Sequence, residues 1–164
     1  MIFYPQLLSA SQQLKANAAG LIRRLQTTVE HIRVTNAEAA DDMLRGHIVC
    51  LTAGVRQALL AQADDLGTSE QIGVCCEDID VDATGIVRTN GKAWVLFETL
   101  DPAPLAGEPA YLSASDQGLA TNVAPVGVGD YIVQIGLIED ASSYATLGGC
   151  YVQLQRCCFE TPVL

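Results

Sequence analysis

Apolar residues in the first part of the chain recur at steps of three and four positions. Between Gln6 and about Val34 this spacing accompanies many Leu, Ala, Gln, Arg and Lys residues, which favour helices. The repeat is close to the spacing of about 3.5 residues in a coiled-coil seam, and it predicts an α-helical arm within residues 1–45. The seam positions are Leu7, Ser11, Leu14, Ala18, Leu21, Leu25, Thr28 and Ile32.

Two interpretations of this helix stay open. The apolar stripe could pack against the chain's own domain, as in an ordinary surface helix. It could instead mediate self-association or bind a partner helix, and the polar seam residues Ser11 and Thr28 suit a register-setting role. Gly20 within the pattern weakens the prediction of an unbroken helix.

From Gly46 onward, short apolar runs are broken by Gly, Asp, Asn and Pro, a pattern typical of small β-sandwiches and barrels. Asn90-Gly91 is a dipeptide favoured in tight hairpins. The predicted strands are His47–Leu51, Gln71–Cys75, Gly85–Arg88, Ala93–Phe97, Pro109–Leu112, Tyr131–Ile135 and Cys150–Leu154.

The β region also repeats itself. Gly46-His-Ile-Val-Cys-Leu-Thr-Ala53 aligns with Gly107-Glu-Pro-Ala-Tyr-Leu-Ser-Ala114, and Gln71-Ile-Gly-Val74 aligns with Gln134-Ile-Gly-Leu137. We therefore expect residues 46–164 to form one β-barrel or sandwich from two repeated units, 46–100 and 107–156. The predicted fold class is mainly β with an N-terminal α-helical arm.

Charge divides the chain at the same place. The whole chain has a formal charge of −10, but residues 1–45 carry four acids and five bases, whereas residues 46–164 carry fifteen acids and four bases. A nucleic-acid-binding protein would show a basic stripe, and an anionic membrane would repel this surface, so neither partner is expected. The first residues lack the basic start and apolar stretch of a signal peptide, so we expect cytoplasmic synthesis.

The repeated motifs resemble those of the capsid decoration (cement) proteins of tailed bacteriophages and of phage head-fibre modules. The similar residues are Gly-x-x-Val/Ala-x-Leu-x-Ala, Ile-Gly-Val/Leu and a closing Gly-x-Val-x-Leu, which together span about residues 46–156. The resemblance implies a β-barrel or β-sandwich on the outer capsid of the virion, commonly trimeric, that clamps neighbouring capsid subunits. It implies no catalytic residues and no cofactor.

A homotrimer bound to the major capsid protein is therefore the expected assembly. The helical segment supplies candidates for contact between subunits or with the capsid, and its basic residues are candidates to meet acidic partner surface. These candidates are Leu7, Leu14, Leu21, Arg23, Arg24, Leu25, Ile32 and Arg33.

Cysteines offer a second candidate contact. Cys75-Cys76 and Cys157-Cys158 are adjacent pairs, so strand alternation sends one member of each pair outward. The outward members are candidates for disulfides between subunits once a particle leaves the reducing cytosol, while reduced, partly buried thiols are the alternative.

Other motifs do not favour catalysis or metal binding. Asp78-Ile-Asp-Val-Asp82 begins like a calcium loop, but Ala83 and Thr89 replace the glycine and glutamate that such a loop requires. Neither His31 nor His47 lies near a nucleophile motif. We therefore expect no enzyme and no metal site.

Three functions stay open at this point. The first is decoration and stabilisation of a capsid. The second is a head or tail fibre module that binds a host receptor or glycan, with Trp94, Tyr111, Tyr131 and Tyr144 as candidate platforms. The third is a non-viral, monomeric β-barrel that binds a small ligand under a helical lid.

Overall fold

The computed structural model describes residues 30–52, 56–64, 67, 72–100 and 102–159, with the backbone alone for 156–159. These residues form a mainly β structure that includes a short helix, α1, at Tyr144–Leu147. The strands of the described part are β1 (His31–Asn36), β2 (Ile48–Leu51), β3 (Gln57–Leu60), β4 (Ile72–Cys75), β5 (Thr84–Arg88), β6 (Gly91–Leu96), β7 (Pro109–Leu112), β8 (Ala120–Thr121), β9 (Val133–Asp140) and β10 (Gly149–Phe159).

The first five strands form a closed barrel in the order β1-β3-β2-β4-β5. Strand β1 pairs in parallel with β3 and antiparallel with β5, so it closes the barrel between them. The interior is filled by buried apolar side chains, because alternate residues of each strand point inward. These are Val34, Met43, Val49, Ala58, Leu60, Cys75, Ile79 and Val87.

The last five strands form a sheet in the order β6-β10-β9-β7-β8. A parallel bridge from Phe97, next to the end of β6, to Ala120 on β8 connects its two edges. When the strands of each group of five are numbered in chain order, both groups have the circular order 1-3-2-4-5. In both, the first and third strands make the parallel contact. The aligned sequence motifs occupy equivalent strands, β2 with β7 and β4 with β9.

A shared core joins the barrel to the second sheet. Ile48 and Val74 of the barrel belong to the same buried cluster as Val95, Val133 and Val152 of the second sheet. Backbone hydrogen bonds cross the same junction, including Ile48 N to Gly118 O at 2.7 Å and Leu96 N to Gly46 O at 3.0 Å. Because these groups are buried together, separating the sheets would expose apolar surface and leave backbone groups unpaired.

The repeated glycines have a common structural reason. Gly46 and Gly107 lie two residues before β2 and β7, and their φ angles of +93° and +92° are in the region that favours glycine. Each glycine turns the chain into the equivalent strand. A side chain at either position would strain the backbone.

The helix prediction is wrong at its C-terminal end. His31–Asn36 is strand β1, and its residues pair with β5 from His31 opposite Arg88 to Thr35 opposite Thr84. Residues 31–36 thus belong to the barrel and not to a helical arm. Ile32, Val34 and Thr35 are β-branched, and strand pairing outweighs the helical spacing that continues from the preceding residues. The rest of the predicted helix, residues 6–29, lies outside the described residues.

Other local predictions also differ from the structure. Asn90-Gly91 does not form a hairpin, because β5 and β6, which it connects, belong to different sheets. Strand β6, placed in the first repeat by the sequence, lies in the second sheet. No helix in the described part of the chain has the length and hydropathy to span a membrane.

Candidate contact surface

Most of the predicted contact residues precede the part of the chain that the structure describes. Leu7, Leu14, Leu21, Arg23, Arg24 and Leu25 lie outside the described residues. Ile32 and Arg33 lie on β1, where both side chains are exposed, and Ile32 is 38% accessible. Ile32 and Arg33 therefore remain available for contact, but from a strand of the barrel.

The cysteine candidates fall in different environments. Cys75 is buried in the barrel core, and burial, reinforced by negative charge nearby, raises the pKa of its thiol to about 12. That burial makes Cys75 unsuitable for a disulfide to another subunit. Cys76 is half-buried, and burial raises its pKa although Arg88 and Arg45 act in the opposite direction. Cys157 and Cys158 lie on β10, where only the backbone is described.

An open groove lies at the junction of the barrel and the second sheet. Its floor is the half-buried indole of Trp94 on β6, which rests on two glycines. A Cβ at Gly46 would lie 2.9 Å from Trp94 Cδ1, and a Cβ at Gly149 would lie 2.5 Å from Trp94 Cζ2. Only glycine at both positions lets the indole lie this close to the backbone, so local sequence sets the position of the ring.

Tyr151 of β10 forms one wall of this groove. Its ring meets Trp94 edge to face, with centroids 5.5 Å apart, as β6 and β10 pair in register at these two residues. The Lys92 ammonium lies 5.0 Å from the Tyr151 ring centroid and forms an ion pair with Glu139 at 2.9 Å. The hydrogen bond to Glu139 raises the pKa of Lys92. Lys92 therefore contacts the aromatic pair while its charge is already paired with Glu139.

Two arginines, Arg45 and Arg88, also line the groove. Arg88 of β5 donates from Nε to His31 Nε2 at 3.2 Å and from Nη1 to the Lys92 carbonyl, so its guanidinium is held in place. Arg45, in the turn before β2, is exposed, and its backbone N–H donates to Asp78 Oδ1 at 2.7 Å. Within the described residues the one ion pair is Lys92–Glu139, so the Arg45 side chain has no acidic partner there.

We call this site the Trp94 groove and define it by Arg45, Cys76, Arg88, Trp94, Leu147 and Tyr151. The outer part of the groove has a volume of about 340 Å³. Aromatic faces, a guanidinium without an acidic partner in the described part of the chain, and a nearby exposed leucine equip it to bind a ligand.

The motifs set aside in the sequence have structural roles where they are described. Asp78 Oδ1 accepts from Arg45 N and Asp42 Oδ1 accepts from Val81 N, so both carboxylates brace loops. Among the residues the structure describes, no three His, Cys, Asp or Glu side chains are grouped to hold a metal ion.

The fold, unlike the sequence, is similar to a known protein. No family model matches the sequence, and no curated protein matches it significantly. A chain in the solved structure of the capsid of Myoviridae Phage XM1 aligns with 96% of this chain and 100% of its own length, at a TM-score of 0.55 and 16% identity. The two chains share a fold. At this identity the similarity establishes the architecture and nothing finer.

Tyrosines predicted as glycan platforms are partly used within the fold. Tyr144 stacks edge to face on Phe97, and its hydroxyl donates to the Glu98 carbonyl at 3.0 Å. Tyr131 packs against the shared core. Sequence reasoning identified Trp94 but missed Arg45, Arg88 and Tyr151, since these come from different strands and turns. The local sequence signal for this site was the presence of glycine at positions 46 and 149, which lie beneath the indole.

The loop between β8 and β9 is a second exposed surface. Val126 and Val128 are 80% and 87% accessible. The loop is braced at its base, because Gly127 N donates to Asp130 Oδ2 at 3.0 Å and Asp130 N donates to the Gly127 carbonyl at 3.0 Å. It therefore presents apolar side chains on a hydrogen-bonded turn.

Proposed function

We propose that this chain is a structural protein of a tailed-phage virion that decorates the capsid exterior and bridges capsid subunits. The observation that carries the proposal is the fold shared, over nearly the whole length of both chains, with a chain of a phage capsid. Two sheets on one core provide a stiff body with several contact surfaces, which suits adhesion. The chain would be made in the host cytoplasm and would function without a cofactor.

In this proposal the protein works by contact alone. Apolar side chains such as Val126 and Val128 would bury surface against neighbouring capsid subunits, and polar pairs would surround these contacts. The free energy of these contacts would add to the barrier that separates capsid subunits under internal pressure. The rest of the acidic β surface, outside these contacts, would face solvent, away from packaged DNA.

Capsid binding is tested with capsids of the phage whose genome encodes this chain, produced without its gene. The purified full-length chain should co-sediment with them to a saturating, fixed stoichiometry and should raise the temperature at which DNA is released. A chain that stays in the supernatant at every concentration would refute the proposal.

A homotrimer formed through the N-terminal segment is the second part of the proposal. It is supported by the seam of Leu7, Leu14, Leu21, Leu25 and Ile32, although Ile32 itself lies on β1. Leu14→Asp combined with Leu21→Asp should convert the trimer into a monomer in sedimentation equilibrium, whereas Leu147→Asp, at an exposed leucine elsewhere, should not. Equal masses for all three proteins would contradict this assembly.

A fibre module that binds a glycan is the second candidate function. It is favoured by the partly exposed rings of Trp94 and Tyr151, which resemble a sugar-stacking platform. Binding of the chain to host surface glycans, together with failure to bind capsids, would favour this candidate over decoration.

A further inference from the structure

The Trp94 groove combines cationic and aromatic groups on a chain that is otherwise acidic. We infer that it binds a short acidic segment of a partner protein, with one Glu or Asp carboxylate on the Arg45 guanidinium and the adjoining carbon atoms on the Trp94 ring. This inference rests on the proposed function, in which the partner protein is a capsid subunit.

Charge placement is the first argument. The chain has a formal charge of −10, yet Arg45 and Arg88 both line the groove and Lys92 lies at its rim. No acidic side chain lines the groove among the described residues. Lys92 is paired with Glu139, and the Arg88 guanidinium is already bonded to His31 and to the Lys92 carbonyl. Among the described residues, Arg45 is therefore the groove cation whose guanidinium has neither an ion pair nor a hydrogen bond, and so it is the one free to receive a carboxylate. An arginine favours a planar carboxylate because it can donate two parallel hydrogen bonds.

Preorganisation is the second argument. The indole is seated on Gly46 and Gly149, and the Arg45 backbone is anchored through its hydrogen bond to Asp78. The ring and the start of the Arg45 side chain therefore need little rearrangement to receive a ligand, which lowers the entropic cost of binding. The exposed edge of Trp94 offers apolar surface beside the charge, as the methylene groups of a glutamate require.

The size and charge of the site favour a short peptide over a nucleic acid. A volume of about 340 Å³ accommodates one or two side chains. A nucleic acid would need phosphate contacts along an extended basic stripe, and the net charge of −10 would repel such a polyanion. A short acidic peptide, in contrast, can place its carboxylate beside the Arg45 guanidinium without extending charge over the acidic surface.

The chain supplies its own reporter for this binding, since Trp94 is its single tryptophan. The full-length protein is titrated with a hexaglutamate peptide while Trp94 fluorescence is followed, with hexaglutamine as the uncharged control. We expect a saturable change in emission with hexaglutamate, little change with hexaglutamine, and much weaker binding in about 0.5 M NaCl, where charge interactions are screened.

A matched pair of variants tests the assigned residue. Arg45→Glu reverses the charge in the groove, and Arg56→Glu makes the same change at an exposed arginine that does not line the groove. Hexaglutamate should bind Arg45→Glu at least roughly tenfold more weakly than wild type, because a charged hydrogen bond is replaced by repulsion. Arg56→Glu should bind nearly as well as wild type. Thermal unfolding and circular dichroism check that both variants are folded.

Each outcome separates this inference from the proposed function. If wild type and Arg56→Glu bind gene-deleted capsids but Arg45→Glu does not, the acidic-segment inference and capsid decoration are both supported. If Arg45→Glu binds hexaglutamate and capsids as well as Arg56→Glu, the inference fails while capsid decoration stands. If hexaglutamate binds through Arg45 but capsids do not bind, the groove stands and decoration fails. Equal binding of hexaglutamine, or binding of a neutral oligosaccharide alone, overturns the acidic-peptide assignment.

Discussion

Replacing Gly149 by alanine would place a methyl group between the Trp94 indole and the backbone of β6. The added Cβ would lie 2.5 Å from Trp94 Cζ2 and 2.6 Å from the Val95 carbonyl oxygen, whereas ordinary contact begins at 3.4 Å. The indole and the strand must therefore each give way by 0.8 to 0.9 Å. The carbonyl belongs to a paired strand, so it cannot move without weakening the β6–β10 ladder.

Overpacking of this kind costs about 1 to 3 kcal/mol, and a weakened backbone hydrogen bond adds about 1 kcal/mol. Alanine also restricts the unfolded chain more than glycine does, which stabilises the folded state by about 0.4 to 1 kcal/mol. We therefore expect Gly149→Ala to lower the free energy of unfolding by about 2 kcal/mol, within a range of about 1 to 3.5 kcal/mol. For a chain of this size a loss of about 2 kcal/mol corresponds to a fall in Tm of roughly 4 to 8 °C.

Urea unfolding followed by Trp94 fluorescence and by circular dichroism measures this change. Gly127→Ala is the control, because the atoms nearest its Cβ belong to the Asp130 side chain, which can rotate away at the cost of its exposed hydrogen bond to Gly127 N. The control should lose less than about 1 kcal/mol, since no paired strand has to move. Equal stabilities for Gly149→Ala and wild type, or an equal loss in the control, would refute the idea that Gly149 is needed to seat the indole.

Three further predictions concern buried polar and titratable groups. Asn36 is fully buried, and its side chain makes three hydrogen bonds to backbone groups, so Asn36→Ala should cost about 2 to 4 kcal/mol in urea unfolding; an unchanged midpoint would contradict this. Burial raises the pKa of Cys75 to about 12 and that of Cys150 to about 11, so both should resist thiol labelling near pH 8. Peptide mapping that finds either thiol modified as fast as in urea would disprove the assignment. Burial lowers the pKa of His47, so the folded state resists its protonation and stability should be lost as pH falls below the unfolded value of about 6.5. His47→Asn, which keeps an acceptor for Leu44 N–H, should lose less stability between about pH 7 and 5, and parallel pH profiles would argue against this role.

The sequence predicted those strands whose apolar residues stand out from polar turns. Pro109–Leu112 forms strand β7 with the predicted bounds, and Ile72–Cys75 differs from its prediction by one residue. Gln57–Leu60 and Ala120–Thr121 were missed, since neither has β-branched alternation of useful length. These short strands are held by their neighbours, and such tertiary pairing leaves little trace in local sequence.

Strand β1 shows a different limit. His31–Asn36 follows residues with helical spacing, and Ile32 fits both that spacing and a strand. The choice depends on β3 and β5, which lie on either side of it and come later in the chain. The Trp94 groove was hidden for the same reason: Arg45, Trp94 and Tyr151 meet only because of the sheet order.

The direction of strand pairing also determines how the fold responds to pulling. Residues before β1 would apply tension at His31, which pairs with Arg88, and residues after β10 would apply it at Phe159, which pairs with Val133. A load perpendicular to the strands would open each antiparallel pair one hydrogen bond after another, whereas a load along the strands would strain the whole ladder at once. The fold would resist the second load better than the first. A protein of this design that held a shell under pressure would carry the force sideways through its surfaces, where many contacts are strained together.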